Sequence, residues 1–75
     1  MAADLHSIVG RVLDVPPEEV RDDMSPKTVG TWTSLRHVQL VAAVEDEYGI
    51  RLTPREIRSV RTVSDLRSLV LAKSA

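Results

Sequence analysis

Apolar residues recur at Leu5, Ile8, Val9, Val12 and Leu13, the spacing of one helix face, so they can be buried together while His6, Ser7 and Arg11 stay in water. A first helix is expected from Ala3 to Leu13. Pro16 and Pro17 make its continuation unfavourable, because proline lacks an amide donor and restricts the residue before it. From Val15 to Thr33 the periodicity is lost: this stretch holds Pro16, Pro17, Pro26, Gly30 and several Ser, Thr and Asp, with only Val20, Met24, Val29 and Trp32 as inward anchors. A long ordered loop follows, with a short turn at PPEEV. Loops of such length in compact domains are uncommon and tend to be functional.

The pattern resumes in TWTSLRHVQLVAAVEDEYGI, residues 31 to 50. A second helix should begin at Thr33 or Ser34 and end at Tyr48, with Gly49 as its stop. Leu40, Val44 and Tyr48, with Val41 beside them, form one apolar stripe. Leu35, Val38 and Ala42 form another, displaced around the helix. If one stripe faces the core, the other is more apolar surface than an amphipathic helix needs, and it becomes a candidate docking surface.

TPRE at 53 to 56 reads as a capping box, with Thr53 as cap, Pro54 at the first helical position and Glu56 reaching back. It opens a short third helix anchored by Ile57 and Val60. Thr62 and Asp65 repeat the arrangement before a fourth helix carrying Val63, Leu66, Leu69 and Val70. No segment shows strand periodicity, and no internal repeat or low-complexity tract is present. The expectation is an all-α, four-helix domain over residues 1–75, with a long first connection and a short third helix.

A chain of 75 residues buries roughly 60% of the surface its unfolded form exposes, which leaves little core for a buried catalytic pocket. With no cysteine and only His6 and His37, neither a disulfide framework nor a structural zinc site can be assembled. Asp4, His6 and Arg11 interrupt the apolar residues of the N-terminal region, so a signal peptide or membrane span is not expected, and a soluble cytoplasmic monomer is. The net charge of −1 hides an asymmetry: nine acids against four bases in residues 1 to 50, then two acids against six bases. Either the halves pair internally or they present different outer surfaces.

Candidate chemistry centres on Ser34. A serine at the start of a helix is ordinarily a cap. The same position also suits a phosphate-bearing oxygen, because free amides and the positive end of the helix dipole stabilise an anion there. If Thr33 supplies the cap, Ser34 is left free beside the Leu35, Val38 and Ala42 stripe. His37, three residues on, invites a serine nucleophile with its base, yet no orienting acid or oxyanion site accompanies them, and a surface histidine is the better expectation. The arginines at 51, 55, 58 and 61 suggest a helical nucleic-acid binder. Overall charge, the lack of an aromatic among them and the shortness of the third helix oppose it.

Taken in order, LDVPPEEV, a loop, TSL, LVAAVEDEYGIRL, a short helix and TVSDL resemble the segments of an acyl carrier protein or the related peptidyl carrier domains, over nearly the whole chain. The resemblance implies a four-helix bundle of carrier type with a long first loop and a short third helix, and no catalytic or metal site of its own. In that family the serine of a D-S-L motif bears 4′-phosphopantetheine, donated by coenzyme A through a phosphopantetheinyl transferase. The matching residue is Ser34. The thiol of the arm would hold an acyl or aminoacyl group as a thioester, leaving the chemistry to the cofactor and to loading and downstream biosynthetic enzymes.

Two residues depart from the family pattern. Thr33 stands where the aspartate is usual, removing a carboxylate from the surface shown to the transferase; it also keeps open a carrier-like module that is never modified. Trp32 occupies a position that is often small, and is expected to anchor the loop on the bundle. The W-x-S-L form resembles stand-alone carriers of polyketide or nonribosomal peptide pathways. Family partners read the second helix, commonly through acids. Here Arg36 and Gln39 are among its outward positions and Glu45, Asp46 and Glu47 lie at its far end, so partners are expected to read Leu35, Val38 and Ala42 with a charge pattern altered by Arg36.

Overall fold

In the computed structural model, which describes residues 4–74, the helices are α1 (Leu5–Leu13), α2 (Ser34–Tyr48), α3 (Pro54–Ser59) and α4 (Val63–Ser74), with a 3₁₀ turn at Pro17–Glu19. The described residues contain no strand. The expected all-α architecture of four helices with a long first loop and a short third helix is what forms. Ala3, expected to start the first helix, lies outside the described residues. Asp4 is the cap of α1, its carboxylate accepting the Ser7 amide at 2.8 Å.

Each helix end follows from local chemistry. Asp14 and Gly49 close α1 and α2 in the left-handed conformation, at φ 59° and 64°. Thr53 and Glu56 form the reciprocal box that opens α3. The Thr62 hydroxyl accepts the Asp65 amide at 3.1 Å, while Asp65 accepts the amides of Arg61 and Thr62.

Leu5, Ile8, Val9 and Leu13 of α1 meet Leu40, Val41 and Val44 of α2, and Val63, Leu66 and Val70 of α4 complete the same core. Val20 and Trp32 from the loop, and Ile50, Leu52 and Val60 from the segments flanking α3, close its ends. Of the two stripes on α2, the one running through Leu40 and Val44 is buried. The other is outside: Leu35 and Val38 are 68% and 62% exposed, and Ala42 is exposed as well.

The long loop is ordered because it satisfies backbone groups that helix ends leave open. At the C-terminus of α1, Gly10 O accepts the Val15 amide at 2.9 Å and Leu13 O accepts the Thr31 hydroxyl. At the N-terminus of α4, the amides of Val63 and Ser64 donate to Met24 O at 3.1 Å and Asp22 O at 2.8 Å. The loop therefore straps α1 to α4. Gly10 permits the strap to lie close, since a Cβ there would come within 2.5 Å of Val15 O. Side chains reinforce it: the Asp22 carboxylate meets His6 Nε2 at 2.9 Å and Arg67 Nη2 at 3.1 Å, and these two contacts, His6 first, hold its carboxyl below the ordinary range.

Candidate functional site

The strap delivers Trp32 and Thr33 to the head of α2. Thr33 adopts an extended backbone and caps the helix, its hydroxyl accepting the Arg36 amide at 3.3 Å and its carbonyl the His37 amide at 2.8 Å. Ser34 is thus the first helical residue rather than the cap. Its side chain is exposed, and its hydroxyl has no hydrogen-bond partner among the described residues.

Below Ser34 the chain is fixed by a relay. Trp32 is buried, and its indole N–H donates to His37 Nδ1 at 3.1 Å while the two rings stack at 6.0 Å. With Nδ1 accepting, the imidazole proton resides on Nε2, which donates to Ile57 O at 3.0 Å. His37 is therefore a half-buried tie between the loop and α3, which corrects the expectation of a surface histidine. Both ring nitrogens are engaged, so His37 cannot serve as a base for Ser34, and the nucleophile arrangement fails on geometry. Among the described residues no group of three His, Cys, Asp or Glu could hold a metal ion.

Ser34 opens onto a cleft of about 570 Å³, lined by Pro26, Trp32, Thr33, Ser34, His37, Val38, Arg58 and Val60. Its walls come from the loop, α2 and the α3 segment. A second hollow of about 520 Å³ lies at the other end of α2 between Ala42, Glu45, Asp46, Gly49, Ile50 and Arg51. The exposed stripe of Leu35, Val38 and Ala42 runs from one to the other, with Gln39 exposed beside it.

Two charged residues of α2 make ties within the domain, and Arg36 departs from its expected outward role. Arg36 turns back to α1 and donates through Nη1 to Val12 O at 2.9 Å, satisfying another open carbonyl at the negative end of that helix. Glu45 accepts the Leu52 amide at 2.8 Å and so fixes the segment after α2. Nothing in the periodicity of α2 signals either tie, nor that Arg58 of α3 borders the Ser34 cleft; both depend on how the helices pack.

The family described as "Phosphopantetheine attachment site" matches residues 3–70 of the chain. The chain is 33% identical over 64 residues to an acyl carrier protein of Rhodococcus erythropolis, covering 85% of this chain and 70% of that one. An acyl carrier protein of Thermosynechococcus vestitus is 32% identical over 69 residues, covering 92% and 85%. Among solved structures, the solution structure of the holo acyl carrier protein from Geobacter metallireducens superposes with a TM-score of 0.82 at 29% identity, over 92% of this chain and 79% of that one.

Proposed function

The chain belongs to the acyl carrier proteins, a family of non-catalytic carriers with covalently attached 4′-phosphopantetheine, and from that premise we propose that Ser34 is the attachment residue. The observation that carries this reading is the division of labour between Thr33 and Ser34. Thr33 caps α2, so the Ser34 hydroxyl is exposed and unpartnered at the helix start, beside a cleft. A phosphodiester on this oxygen would sit at the positive end of the α2 dipole.

In the modification, the Ser34 oxygen bonds to the phosphorus of the phosphopantetheine half of coenzyme A, adenosine 3′,5′-bisphosphate leaves, and the hydroxyl proton passes to the transferase. The arm supplies a thiol on a flexible tether, on which cargo is held as a thioester at high effective concentration for each partner. This chain's own part is to hold the attachment point rigid through the Trp32, His37 and Ile57 relay and to present Leu35, Val38, Gln39 and Ala42 for docking.

The form of the motif, with Trp32 two residues before Ser34, supports a place among stand-alone carriers of polyketide or nonribosomal peptide assembly, served by a loading enzyme and downstream biosynthetic enzymes. Among the described residues no helix is long and apolar enough to cross a membrane. One feature favours a second reading: Thr33 in place of the usual aspartate fits a carrier-like interaction module that escapes modification.

Incubation with coenzyme A and a broad-specificity phosphopantetheinyl transferase, followed by intact mass, decides between them. Gain of one phosphopantetheinyl group on the wild type and none on Ser34→Ala is expected. No gain on the wild type, or an equal gain on Ser34→Ala, sinks the assignment.

A further inference from the structure

Arg51, Arg55, Arg58 and Arg61 are exposed, and none makes an ion pair among the described residues. Arg55 and Arg58, three residues apart on α3, lie on one side of that helix. Arg58 borders the Ser34 cleft together with Val38, and Arg51 borders the second hollow together with Ala42. The exposed apolar stripe of α2 is therefore flanked on its α3 side by a guanidinium at each end. Among the described residues no acid opposes this charge around Ser34, because the first acid of α2 is Glu45 and none lines the cleft that Arg58 borders. At the second hollow Glu45, which accepts the Leu52 amide, and the exposed Asp46 stand beside Arg51. Thr33, at the site's edge, is neutral.

We infer that the Ser34 face docks on protein surfaces that present carboxylates around an apolar contact, beginning with the transferase that modifies this chain, and that Arg51 and Arg58 make the charged contacts. The inference rests on the attachment and docking reading above and adds the sign of the partner. A nucleic acid fits the same surface less well. Phosphates would leave Leu35 and Val38, 68% and 62% exposed, without a partner, and Trp32 is buried and cannot stack on bases. Contacts of this kind at the rim of an interface act mostly on the association rate and its salt dependence.

The test is the kcat/KM for modification of the apo-protein by the phosphopantetheinyl transferase of its source organism, at NaCl from about 50 mM to about 500 mM, over which the screening length shortens from about 14 Å to about 4 Å. Wild type should lose rate as salt rises. Arg51→Glu with Arg58→Glu should fall roughly tenfold at low salt and lose or invert the salt dependence. Arg11→Glu, exposed on α1 and bordering neither hollow, should track the wild type. Thermal midpoints confirm that each variant is folded.

A rate that rises with salt, or a double variant that matches the wild type, overturns the inference while leaving Ser34 modified. Absence of any mass gain removes the attachment reading itself, and this inference with it. Retardation of duplex DNA or RNA by the wild type and not by the double variant assigns the arginines to nucleic acid and overturns it too.

Discussion

The indole N–H of Trp32 donates to Nδ1 of His37 at 3.1 Å, five residues along the chain and across the start of α2. Because Nε2 of the same imidazole donates to Ile57 O at 3.0 Å, this one ring joins loop, α2 and α3 beneath the attachment point. Trp32→Phe keeps most of the buried ring and loses the donor, and should cost about 1 kcal/mol; Trp32→Ala should cost about 3–5 kcal/mol. The second figure approaches the whole stability of so small a domain. A double-mutant cycle of Trp32→Phe and His37→Ala in urea should give a coupling of about 1 kcal/mol. Strict additivity would show that the contact contributes nothing.

Capping and attachment separate into neighbouring residues, so their variants should separate as well. Thr33→Ala removes the acceptor for the Arg36 amide and should cost about 1 kcal/mol in chemical denaturation. Ser34→Ala removes a hydroxyl with no protein partner and should stay within about 0.5 kcal/mol of the wild type while accepting no phosphopantetheine. A large stability loss in Ser34→Ala would mean that its hydroxyl helps hold the helix start.

Val38 is 62% exposed on the outer stripe of α2, so Val38→Asp should leave the thermal midpoint nearly unchanged. Loading and transfer by partner enzymes should fall at least several-fold, since a carboxylate would then enter an apolar contact. A parallel collapse of stability would place Val38 in the core.

Gly10→Ala tests the strap. The added methyl would meet the Val15 carbonyl oxygen at 2.5 Å, a backbone atom that can move only by loosening the turn after α1. A cost of about 1–3 kcal/mol is expected despite the better helix propensity of alanine, and a stabilised variant would show that the strap gives way easily.

Acid should weaken the strap in a defined sense. His6 and then Arg67 hold the Asp22 carboxyl below its ordinary value of 3.8. Lys73, with the Thr53 amide, does the same for Glu56 below 4.5. A carboxyl depressed in the folded state contributes stability that is fully present above its unfolded pKa and is lost as pH falls through the folded one. The thermal midpoint of the wild type should therefore drop from about pH 5 downward. Asp22→Asn should be less stable near neutrality, and its deficit should shrink as the pH falls below the ordinary carboxyl range. A deficit independent of pH would show that the charge of Asp22 is not what matters.

Much of the fold was legible because it is written in local chemistry. The start of α2 at Thr33, its end at Gly49, the box of Thr53 and Glu56 and the cap at Thr62 each depend on a few adjacent residues. The grouping of α2 into one stripe through Leu40 and Val44 and another through Leu35 and Val38 follows from helical period alone, while packing against α1 and α4 decides that the first is the buried one. Asp4 as the cap of α1 was also within reach, as an acid directly before an apolar run, although the helix was expected to begin at Ala3.

The sequence by itself determined four helices, the caps at Thr53 and Thr62, the stop at Gly49 and the two apolar stripes of α2. The structure decided which stripe is buried and that Thr33, not Ser34, caps α2. Tertiary structure alone decided what crosses between elements: Arg36 turned to Val12 O, Glu45 spent on the Leu52 amide, His37 locked between Trp32 and Ile57, and Arg58 brought to the edge of the Ser34 cleft. The physical reason is that caps and periodicity act over one or two turns of a single helix. The partner of a long polar side chain depends instead on which open backbone groups the packed helices bring within its reach.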